Sequence, residues 1–353
     1  MSIGRAARGV RDIVIAVSPP RAPASALARA ACLCALGAAA CTSGASASPG
    51  FSTAFASSDG GASSDGGASS DGGASSDGGA SSDGGAPRAF RSVRGSGPGN
   101  GWAVGEGGLA VALAGGKWFP VESGTTATLG GLSMFDGVHA IAAELGGARV
   151  DAWNGRTWAP LGADRADRAA AATWSAGVDD VWVVGNGIEH WDGASWTQQV
   201  PGGAGAASTF ASISGSFRTD VWAVGPAGVE HYDGDAWSAV TLPASTTGLA
   251  AVWVASLENA WIVGAKGAVL ESAGNAFVVL PAGPTADLTA VTGTSPTDVW
   301  VGAVDGTISH WDGSTWTVIV SPAGRPINDM WTASGADGVL FVDDTGTVTS
   351  YVP

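Results

Sequence analysis

The feature that most limits what this chain can fold into is a phrase that recurs along it. In residues 297–318 the phrase reads TDVWVGAVDGTISHWDGSTWTV, and copies of it surround Trp182 and Trp222. Short apolar runs alternate with a Gly turn and an Asp-Gly turn, and Asp-Gly favours the backbone conformations that a tight hairpin requires. The phrase therefore predicts a unit of hairpin-connected β-strands, repeated through most of the chain.

The repeat has a period of 37 to 43 residues, measured on the second strand of each unit. Periods near 40 with several short strands per unit are typical of propeller blades. A single blade has two apolar faces, so neighbours must stack, and closing the ring removes the need for polar caps. We therefore predict an all-β, seven-bladed β-propeller of four-stranded antiparallel blades over residues 90–353. The seven anchor residues are Trp102, His139, Trp182, Trp222, Trp261, Trp300 and Leu340.

The last unit, residues 327–352, ends after its third strand. Residues 50–56 contain Phe51 and Phe55 and form the apolar segment upstream that could supply a fourth strand. Elsewhere, Trp on the second and fourth strands offers large flat surfaces for blade stacking. The hypothesis that follows is that the N-terminal segment closes the ring.

The N-terminal region, residues 1–40, has five arginines ahead of a short apolar stretch, which is typical of a signal peptide. Residues 36–41 resemble the lipobox of bacterial lipoproteins, although Ala38 stands where that family prefers Leu. The resemblance implies a lipid on Cys41, and Thr42 suits the outer membrane. Ordinary cleavage after an Ala-x-Ala site would instead leave a freely secreted domain.

Residues 41–89 are predicted to be a flexible tether. Five copies of Ser-Ser-Asp-Gly-Gly-Ala occupy residues 57–86, and such a composition stays solvated because it has no apolar surface to bury. Calcium-binding β-helix repeats need an apolar residue in every copy, which these copies lack.

Charge and cysteine content exclude several classes of function. The formal net charge of −15 argues against nucleic-acid binding, which needs clustered Lys and Arg. The three cysteines, Cys32, Cys34 and Cys41, all precede the predicted propeller, so no disulfide or Cys-ligated metal is expected there. We expect no cofactor, no bound metal and a monomer that meets a membrane only through a lipid anchor.

The phrase His-Trp-Asp-Gly-x-x-Trp resembles the end of a kelch repeat and the Asp-box turn of sialidase-type propellers. Kelch repeats also carry a Gly-Gly pair, and the Asp-box places its Gly two residues after Asp, whereas Gly193, Gly234 and Gly313 follow Asp directly. The whole phrase most resembles bacterial secreted propeller repeats of the Asp-Val-Trp-Ala-Val-Gly kind. This resemblance covers residues 90–352 and implies the fold rather than an activity.

The repeated histidines and aspartates are predicted to be structural. His190, His231 and His310 occupy one repeat position on different blades, so they cannot converge on one metal ion. The aspartates that precede the Trp strand and those in the turns are explained by local side-chain-to-backbone bonds. They are Asp180, Asp220 and Asp298 before the strand, and Asp192, Asp233 and Asp312 in the turns.

Candidate ligand contacts lie where residues depart from the repeat in the turns and connections of one propeller face, because loops carry function on such scaffolds. In the turns they are Glu106, Asn186, Lys266, Asp305 and Asp343, and in the longest charged connection they are Asp164, Arg165, Asp167 and Arg168. No catalytic residue is assigned. The sequence favours a non-catalytic binding or scaffold module of the cell envelope that recognises a protein or glycan. The alternatives are a glycan-active hydrolase or lyase and a purely structural envelope component.

Overall fold

Seven four-stranded antiparallel sheets follow one another in the computed structural model, as the repeat predicts. The structure describes residues 50–56, 88–163, 165, 169–203, 209–243, 246, 248–257, 259–273, 276–280, 283–321, 323–333 and 338–353. The signal peptide, Cys41, Asp164, Asp167, Arg168 and the Ser-Ser-Asp-Gly-Gly-Ala repeats lie outside these residues.

The first half of the chain contributes strands β1 (Gly50–Ala56), β2 (Phe90–Gly97), β3 (Asn100–Gly105), β4 (Ala110–Ala114), β5 (Lys117–Pro120), β6 (Leu129–Met134), β7 (Ala140–Glu144), β8 (Val150–Trp153), β9 (Trp158–Pro160), β10 (Ala170–Gly177), β11 (Asp180–Gly185), β12 (Gly187–Trp191) and β13 (Trp196–Val200). After β1, every four consecutive strands form one sheet. Blades 1, 2 and 3 are thus β2–β5, β6–β9 and β10–β13.

The second half contributes β14 (Ser212–Phe217), β15 (Asp220–Gly225), β16 (Gly228–Tyr232), β17 (Trp237–Ala239), β18 (Leu249–Ser256), β19 (Asn259–Gly264), β20 (Val269–Ala273), β21 (Ala276–Val279), β22 (Leu288–Ser295), β23 (Asp298–Ala303), β24 (Thr307–Trp311), β25 (Trp316–Val320), β26 (Ile327–Trp331), β27 (Val339–Asp343) and β28 (Thr347–Val352). Blades 4, 5 and 6 are β14–β17, β18–β21 and β22–β25, and blade 7 combines β26–β28 with β1. Helical structure in the described residues includes two short 3-10 turns, Glu106–Gly108 and Ala265–Gly267.

The up-and-down order of the strands defines two faces of the ring. The turns between second and third strands and the connections between blades lie on what we call the upper face. The turns between first and second strands and between third and fourth strands lie on the lower face. The first strand of each blade lines the central channel and runs from the upper face to the lower one.

Strand alternation explains how one blade packs against both neighbours. On β11, Val181 and Val183 belong to the core shared with blade 2, whereas Trp182 and Val184 belong to the core shared with blade 4. The indole of Trp182 meets the rings of Tyr232 and Trp237, with centroids 4.8 and 5.2 Å away. These contacts confirm that aromatic residues on the second and outer strands stack the blades.

The N-terminal segment closes the ring, as the incomplete last unit predicts. Strand β1 pairs antiparallel with β28, from Gly50 opposite Val352 to Ala56 opposite Thr347. The register shifts between Thr53 and Phe55, and this bulge changes which side of the sheet the later residues face.

The bulge lets one strand serve both faces of blade 7. Phe51 packs on Tyr351 and Phe341 in the core shared with blade 6, with centroids 4.8 and 6.1 Å away. Phe55 packs on Phe90 of blade 1 at 6.0 Å. Residues 50–56 fall within the range 41–89 assigned to the tether, yet they form the outer strand of a blade. The Ser-Ser-Asp-Gly-Gly-Ala copies therefore follow the first propeller strand along the chain and connect it to β2.

One anchor of the repeat was misplaced by two residues. In blade 2 the third strand pairs Ala152 with Ile141, and Ala152 corresponds to His190, which pairs with Trp182 in blade 3. Ile141, not His139, therefore stands at the Trp position of blade 2. His139 lies in the preceding turn, where it bonds Asp136 at 2.7 Å and stacks on Phe135. Five residues, 135–139, separate β6 from β7, whereas two separate β10 from β11, so the second strand of blade 2 begins later than the repeat predicts.

Candidate functional site

The predicted contacts belong to five different blades: Glu106, Asn186, Lys266 and Asp305 lie in upper-face turns, and Asp343 ends strand β27. The structure therefore spreads them around the ring. Arg165, from the connection between blades 2 and 3, is buried and donates a 2.6 Å hydrogen bond from Nη1 to Glu189 Oε2. Its guanidinium also lies 5.7 Å from the ring centre of Trp196.

Local bonds engage most of the other predicted contacts. Asn186 Oδ1 accepts a 3.0 Å bond from Gly203 N, and Asp305 Oδ1 accepts one of 2.9 Å from Thr307 N. The buried Asp343 accepts bonds from the amide and hydroxyl groups of Thr345.

Lys266 is exposed and has φ of 58°, a left-handed conformation that Gly107 adopts in the matching turn of blade 1. Its backbone N–H donates to Asp287 Oδ1 at 2.7 Å. Lys266 is the one non-glycine residue with a positive φ in the described chain.

Glu106 belongs to a charged cluster on the seam between blades 7 and 1. Arg91 bonds Glu106 within blade 1 and Asp344 of blade 7 at 3.0 Å. Arg94 bonds Asp329 of blade 7 at 2.5 Å, and that carboxylate also accepts a 2.6 Å bond from Ser92. The bond from Arg91 is the main cause of the lowered pKa of Glu106. We call Arg91, Arg94, Glu106, Asn328, Asp329 and Asp344 the seam cluster; sequence reasoning named only Glu106 of it.

The histidines are structural, as predicted, and a ring nitrogen of each bonds the aspartate that begins the neighbouring second strand. His231 Nε2 lies 2.9 Å from Asp220 Oδ1, and the imidazole stacks on Trp222 with centroids 4.0 Å apart. Trp222 Nε1 donates to the same oxygen at 2.8 Å, and Ser216 Oγ donates to Oδ2.

The same His–Asp pair and His–Trp stack occur in blades 3 and 6. Asp180, Asp220 and Asp298 thus bind side chains of the second and third strands rather than the local backbone that was predicted. For Asp220, burial acts to raise the pKa, but hydrogen bonds from His231, Ser216 and Trp222 outweigh it, so the pKa is lowered.

The turn aspartates do bind the local backbone. Asp192 Oδ1 accepts bonds from Ala194 N and Ser195 N at 2.9 and 2.8 Å, and Asp233 and Asp312 make the equivalent bonds. Backbone donors are the largest cause of the lowered pKa of Asp192 and Asp233, and the hydroxyl of Ser314 is the largest cause of the lowered pKa of Asp312.

The central channel has cavities at both ends. The upper one, of about 120 Å³, is walled by small residues such as Ala171, Ala211 and Ala250 and, on the seam side, by Arg91 and Asp329. Across the seam Arg91 bonds Asp344 and Arg94 bonds Asp329, so the polarity of this cavity serves ring closure.

The lower cavity, of about 180 Å³, is aromatic. Trp174, Trp253 and Trp331 line it from blades 3, 5 and 7, and all three are half-buried. Arg94 also lines it; its Nη1 bonds Asp329 and the carbonyls of Val93 and Met330. No bond engages its Nε or Nη2 within the described chain.

Each channel tryptophan lies over a glycine of the next blade. A Cβ added at Gly95 would lie 2.4 Å from Trp331 Cη2, and one at Gly293 would lie 2.6 Å from Trp253 Cη2. Gly215 stands in the same relation to Trp174, at 2.8 Å. The glycines let the indoles lie along the channel wall.

Sequence reasoning missed these three tryptophans because it placed Trp only on the second and outer strands. The signal was present: Trp174, Trp253 and Trp331 recur at two repeat lengths, and each is followed two or three positions later by Ala or Ser. Their period is twice that of the blade, so they do not belong to the single-blade repeat.

Hydroxyl groups of one blade bond the inner strand of the next along the channel. Ser212 Oγ and Ser214 Oγ accept bonds from Val252 N and Val254 N, both at 3.2 Å. Ser92 Oγ accepts one from Leu132 N at 3.3 Å. These bonds satisfy backbone donors that would otherwise face the channel.

A groove of about 320 Å³ adjoins the lower cavity at the seam. Its mainly apolar walls include Leu113 and Trp118 of blade 1, Leu340 and Tyr351 of blade 7, and Trp331. In blade 7, Leu340 takes the place of the second-strand Trp, since it pairs with Ser350 as Trp182 pairs with His190. The smaller side chain leaves this inter-blade space less filled. Trp331 and Thr332 line both cavities.

No group of three or more His, Cys, Asp or Glu side chains in the described part of the chain is placed to hold a metal ion. No helix in those residues combines the length and apolar character needed to cross a bilayer.

Comparison with known proteins reveals relatives in fold alone. No protein-family model and no curated protein sequence matches the chain. A catalytically inactive virginiamycin B lyase from Staphylococcus aureus with quinupristin superposes with a TM-score of 0.64 at 12% identity, over 75% of this chain and 95% of that one.

YCF48 bound to D1 peptide superposes with a TM-score of 0.59 at 16% identity, over 75% of this chain and 94% of that one. The WD40 propeller domain of Doa1 superposes with a TM-score of 0.60 at 12% identity, over 76% of this chain and 94% of that one. These identities establish the architecture and nothing finer: the chain is a seven-bladed β-propeller.

Proposed function

We propose that this protein is an exported, non-catalytic binding module of the cell envelope that recognises a protein or glycan through the lower face of its propeller. The observation that carries the proposal is the lower channel cavity, where Trp174, Trp253 and Trp331 surround a space beside the guanidinium of Arg94. Aromatic walls with a few placed polar groups are typical of ligand sites.

Binding rather than catalysis is favoured by the carboxylates of the channel. Glycoside hydrolysis usually uses two carboxyl groups flanking the scissile bond. Asp329 is the only carboxylate among the described residues lining either channel cavity. It is engaged by Arg94, Ser92 and the backbone N–H of Val93.

Two structural neighbours support the two classes of function. YCF48 bound to D1 peptide is a similar fold with a peptide ligand, which supports recognition of a protein partner. Virginiamycin B lyase has a similar fold and is named as an enzyme. It therefore supports a glycan-active lyase or hydrolase as the second candidate.

Anchoring through Cys41 remains part of the proposal and rests on the lipobox-like residues 36–41. Because β1 begins at Gly50, residues 42–49 alone separate the modified cysteine from the propeller. Metabolic labelling with an alkyne fatty acid should mark the wild type and not Cys41→Ala. Labelling of both proteins, or of neither, would exclude lipidation at Cys41.

The function itself is tested by measuring binding and turnover on the same samples. A glycan array and an affinity capture of envelope proteins should yield a ligand whose binding is lost in Trp253→Ala, while fluorogenic glycosides stay intact. Turnover that one Asp or Glu substitution abolishes would instead establish the enzyme. Phe119→Ala, an exposed aromatic on the outer strand of blade 1, is the control.

A further inference from the structure

We propose that the ligand is a neutral, unbranched glycan that places one pyranose ring in the lower channel cavity and the next ring in the seam groove. This inference rests on the proposed function and names its ligand. It follows from four properties of the two cavities: their aromatic surfaces, their charge, the state of the channel backbone and the wall they share.

The aromatic surfaces suit a flat ring with apolar C–H groups. The indoles of Trp174, Trp253 and Trp331 lie against Gly215, Gly293 and Gly95, which leaves their opposite sides toward the channel. Rigid aromatic surfaces bind with little loss of side-chain freedom. The cavity of about 180 Å³ is smaller than the 300–1,000 Å³ usual for drug-sized ligands, so it suits one ring.

The charge of the site favours a neutral ligand. Arg94 is the only charged residue among the described residues lining the lower cavity, and no charged residue is described in the lining of the groove. Asp329 offsets the charge of Arg94. The guanidinium of Arg94 would therefore repel a cationic ligand, and the net charge of −15 would repel an anionic one. Arg94 still has Nε and Nη2 to donate to sugar oxygens.

The channel backbone disfavours an extended peptide. A peptide that adds a strand gains its affinity from main-chain hydrogen bonds. Inner-strand donors at Leu132, Val252 and Val254 are already bonded to serine hydroxyls of the preceding blade. A peptide strand would have to displace these bonds, whereas sugar hydroxyls are met by side-chain donors and water.

Trp331 makes the two cavities into one elongated site. It borders the lower cavity and the groove, and the groove adds Trp118 on its far wall. A linear ligand can therefore use Trp331 for both rings and Trp118 for the second ring alone. This arrangement predicts that affinity depends on the number of rings.

The experiment is isothermal titration of the propeller with glucose and N-acetylglucosamine oligosaccharides of one to four rings. We expect two-ring ligands of the preferred sugar to bind about tenfold or more tightly than one ring. Trp331→Ala should weaken all of them about tenfold or more, as interface anchors do when truncated. Trp118→Ala should remove the gain from the second ring and leave one-ring binding unchanged.

Phe119→Ala provides a matched control, because Phe119 neighbours Trp118 on β5, faces the other side of the strand and is 48% exposed. It should bind like the wild type. Trp331→Phe keeps a flat ring and should bind within about threefold of the wild type. If Trp331→Ala does not fold, Trp331→Phe and Trp118→Ala still test the two subsites.

The outcomes separate this inference from the proposed function. If the wild type binds no neutral oligosaccharide, or binds all lengths equally, the glycan assignment is wrong. A protein ligand could then be found whose binding is abolished by Trp331→Ala or Trp253→Ala. In that case the proposed binding function stands although the glycan assignment fails. Glycan binding that survives all of the channel and groove substitutions would overturn both.

Discussion

Asp220 shows how one side chain can unite three strands of a blade. It begins β15, accepts bonds from His231 on β16 and Trp222 on its own strand, and reaches Ser216 at the end of β14. Sequence alone indicates that the repeated Asp and His are structural. It does not show that they bond each other, because two-residue alternation leaves open which side of the sheet each one faces.

We predict that Asp220→Asn lowers the free energy of unfolding at pH 7 by about 1–3 kcal/mol, the usual cost of an impaired buried hydrogen-bond network. Because the folded pKa of Asp220 is lowered, the charged form contributes stability above the unfolded value of about 3.9. That contribution is lost as the pH falls through the folded value. The difference between the two proteins should therefore shrink as the pH falls below the unfolded value of about 3.9.

Urea unfolding at a series of pH values measures this effect. Asp235→Asn, a change in an exposed turn of the same blade, should leave stability within about 0.5 kcal/mol of the wild type. A stability difference for Asp220→Asn that does not change with pH would show that the carboxylate charge is irrelevant.

Lys266 gives a second prediction at the scale of a residue. A left-handed conformation costs a non-glycine residue roughly 1–2 kcal/mol. Glycine removes this strain, but its greater freedom in the unfolded chain offsets part of the gain in stability. Lys266→Gly should therefore stabilise the propeller by about 0.5–1 kcal/mol in thermal unfolding. Lys266→Ala keeps the strained backbone and removes the ammonium, so it should not stabilise. A ligand lost by both variants would implicate the side chain in binding, as the sequence predicts.

At the scale of elements, β1 combines two tasks through its bulge. Six paired residues join it to β28, and the register shift turns Phe51 towards blade 6 and Phe55 towards blade 1. An unbulged strand would place both rings on the same side, since residues four apart share a face.

We predict that removing β1 destabilises the ring, because blade 7 would lose its outer strand and three aromatic contacts. A chain that begins at residue 57 should melt several degrees below one that begins at residue 50. Phe51→Ala and Phe55→Ala should each cost about 1–3 kcal/mol, less than a fully buried Phe. Equal melting temperatures for the two chains would refute closure by this strand; Thr53→Ala, an exposed change on β1, is the control.

The sequence predicts most of the architecture because repetition averages out local ambiguity. Seven copies of one phrase define the strands, the turns and the number of blades, and the missing last strand points to residues 50–56. It does not predict the longer turn that displaces the second strand of blade 2, or the bulge in β1. The candidate site was harder still: Trp174, Trp253 and Trp331 occupy first strands, where their role depends on glycines in the adjoining blade.

At the scale of the whole molecule, the seam between blades 7 and 1 differs from the other inter-blade junctions. It is held by strand β1, by the seam cluster on the upper side and by a partly open apolar groove on the lower side. Polar bonds thus hold the upper part of the seam and include Arg94, which also lines the lower cavity, while the groove keeps room for a ligand.

The position of β1 has a consequence for cutting the chain. The connection from β1 to β2 holds the low-complexity copies, residues 57–86, and is where an inserted protease site should be tolerated. After cleavage, the short N-terminal piece should co-elute with the propeller until denaturant is added, because its pairing with β28 needs no covalent link. Immediate release of that piece would refute this prediction, and release is expected when Phe51→Ala and Phe55→Ala are combined.

A nicked molecule would then be a complete ring made of two pieces that are not covalently linked. Were the N-terminal piece fastened to a lipid, a single proteolytic cut would change the attachment of the whole propeller from permanent to reversible. Its residence time at the envelope would be set by how slowly one seven-residue strand peels from its neighbour.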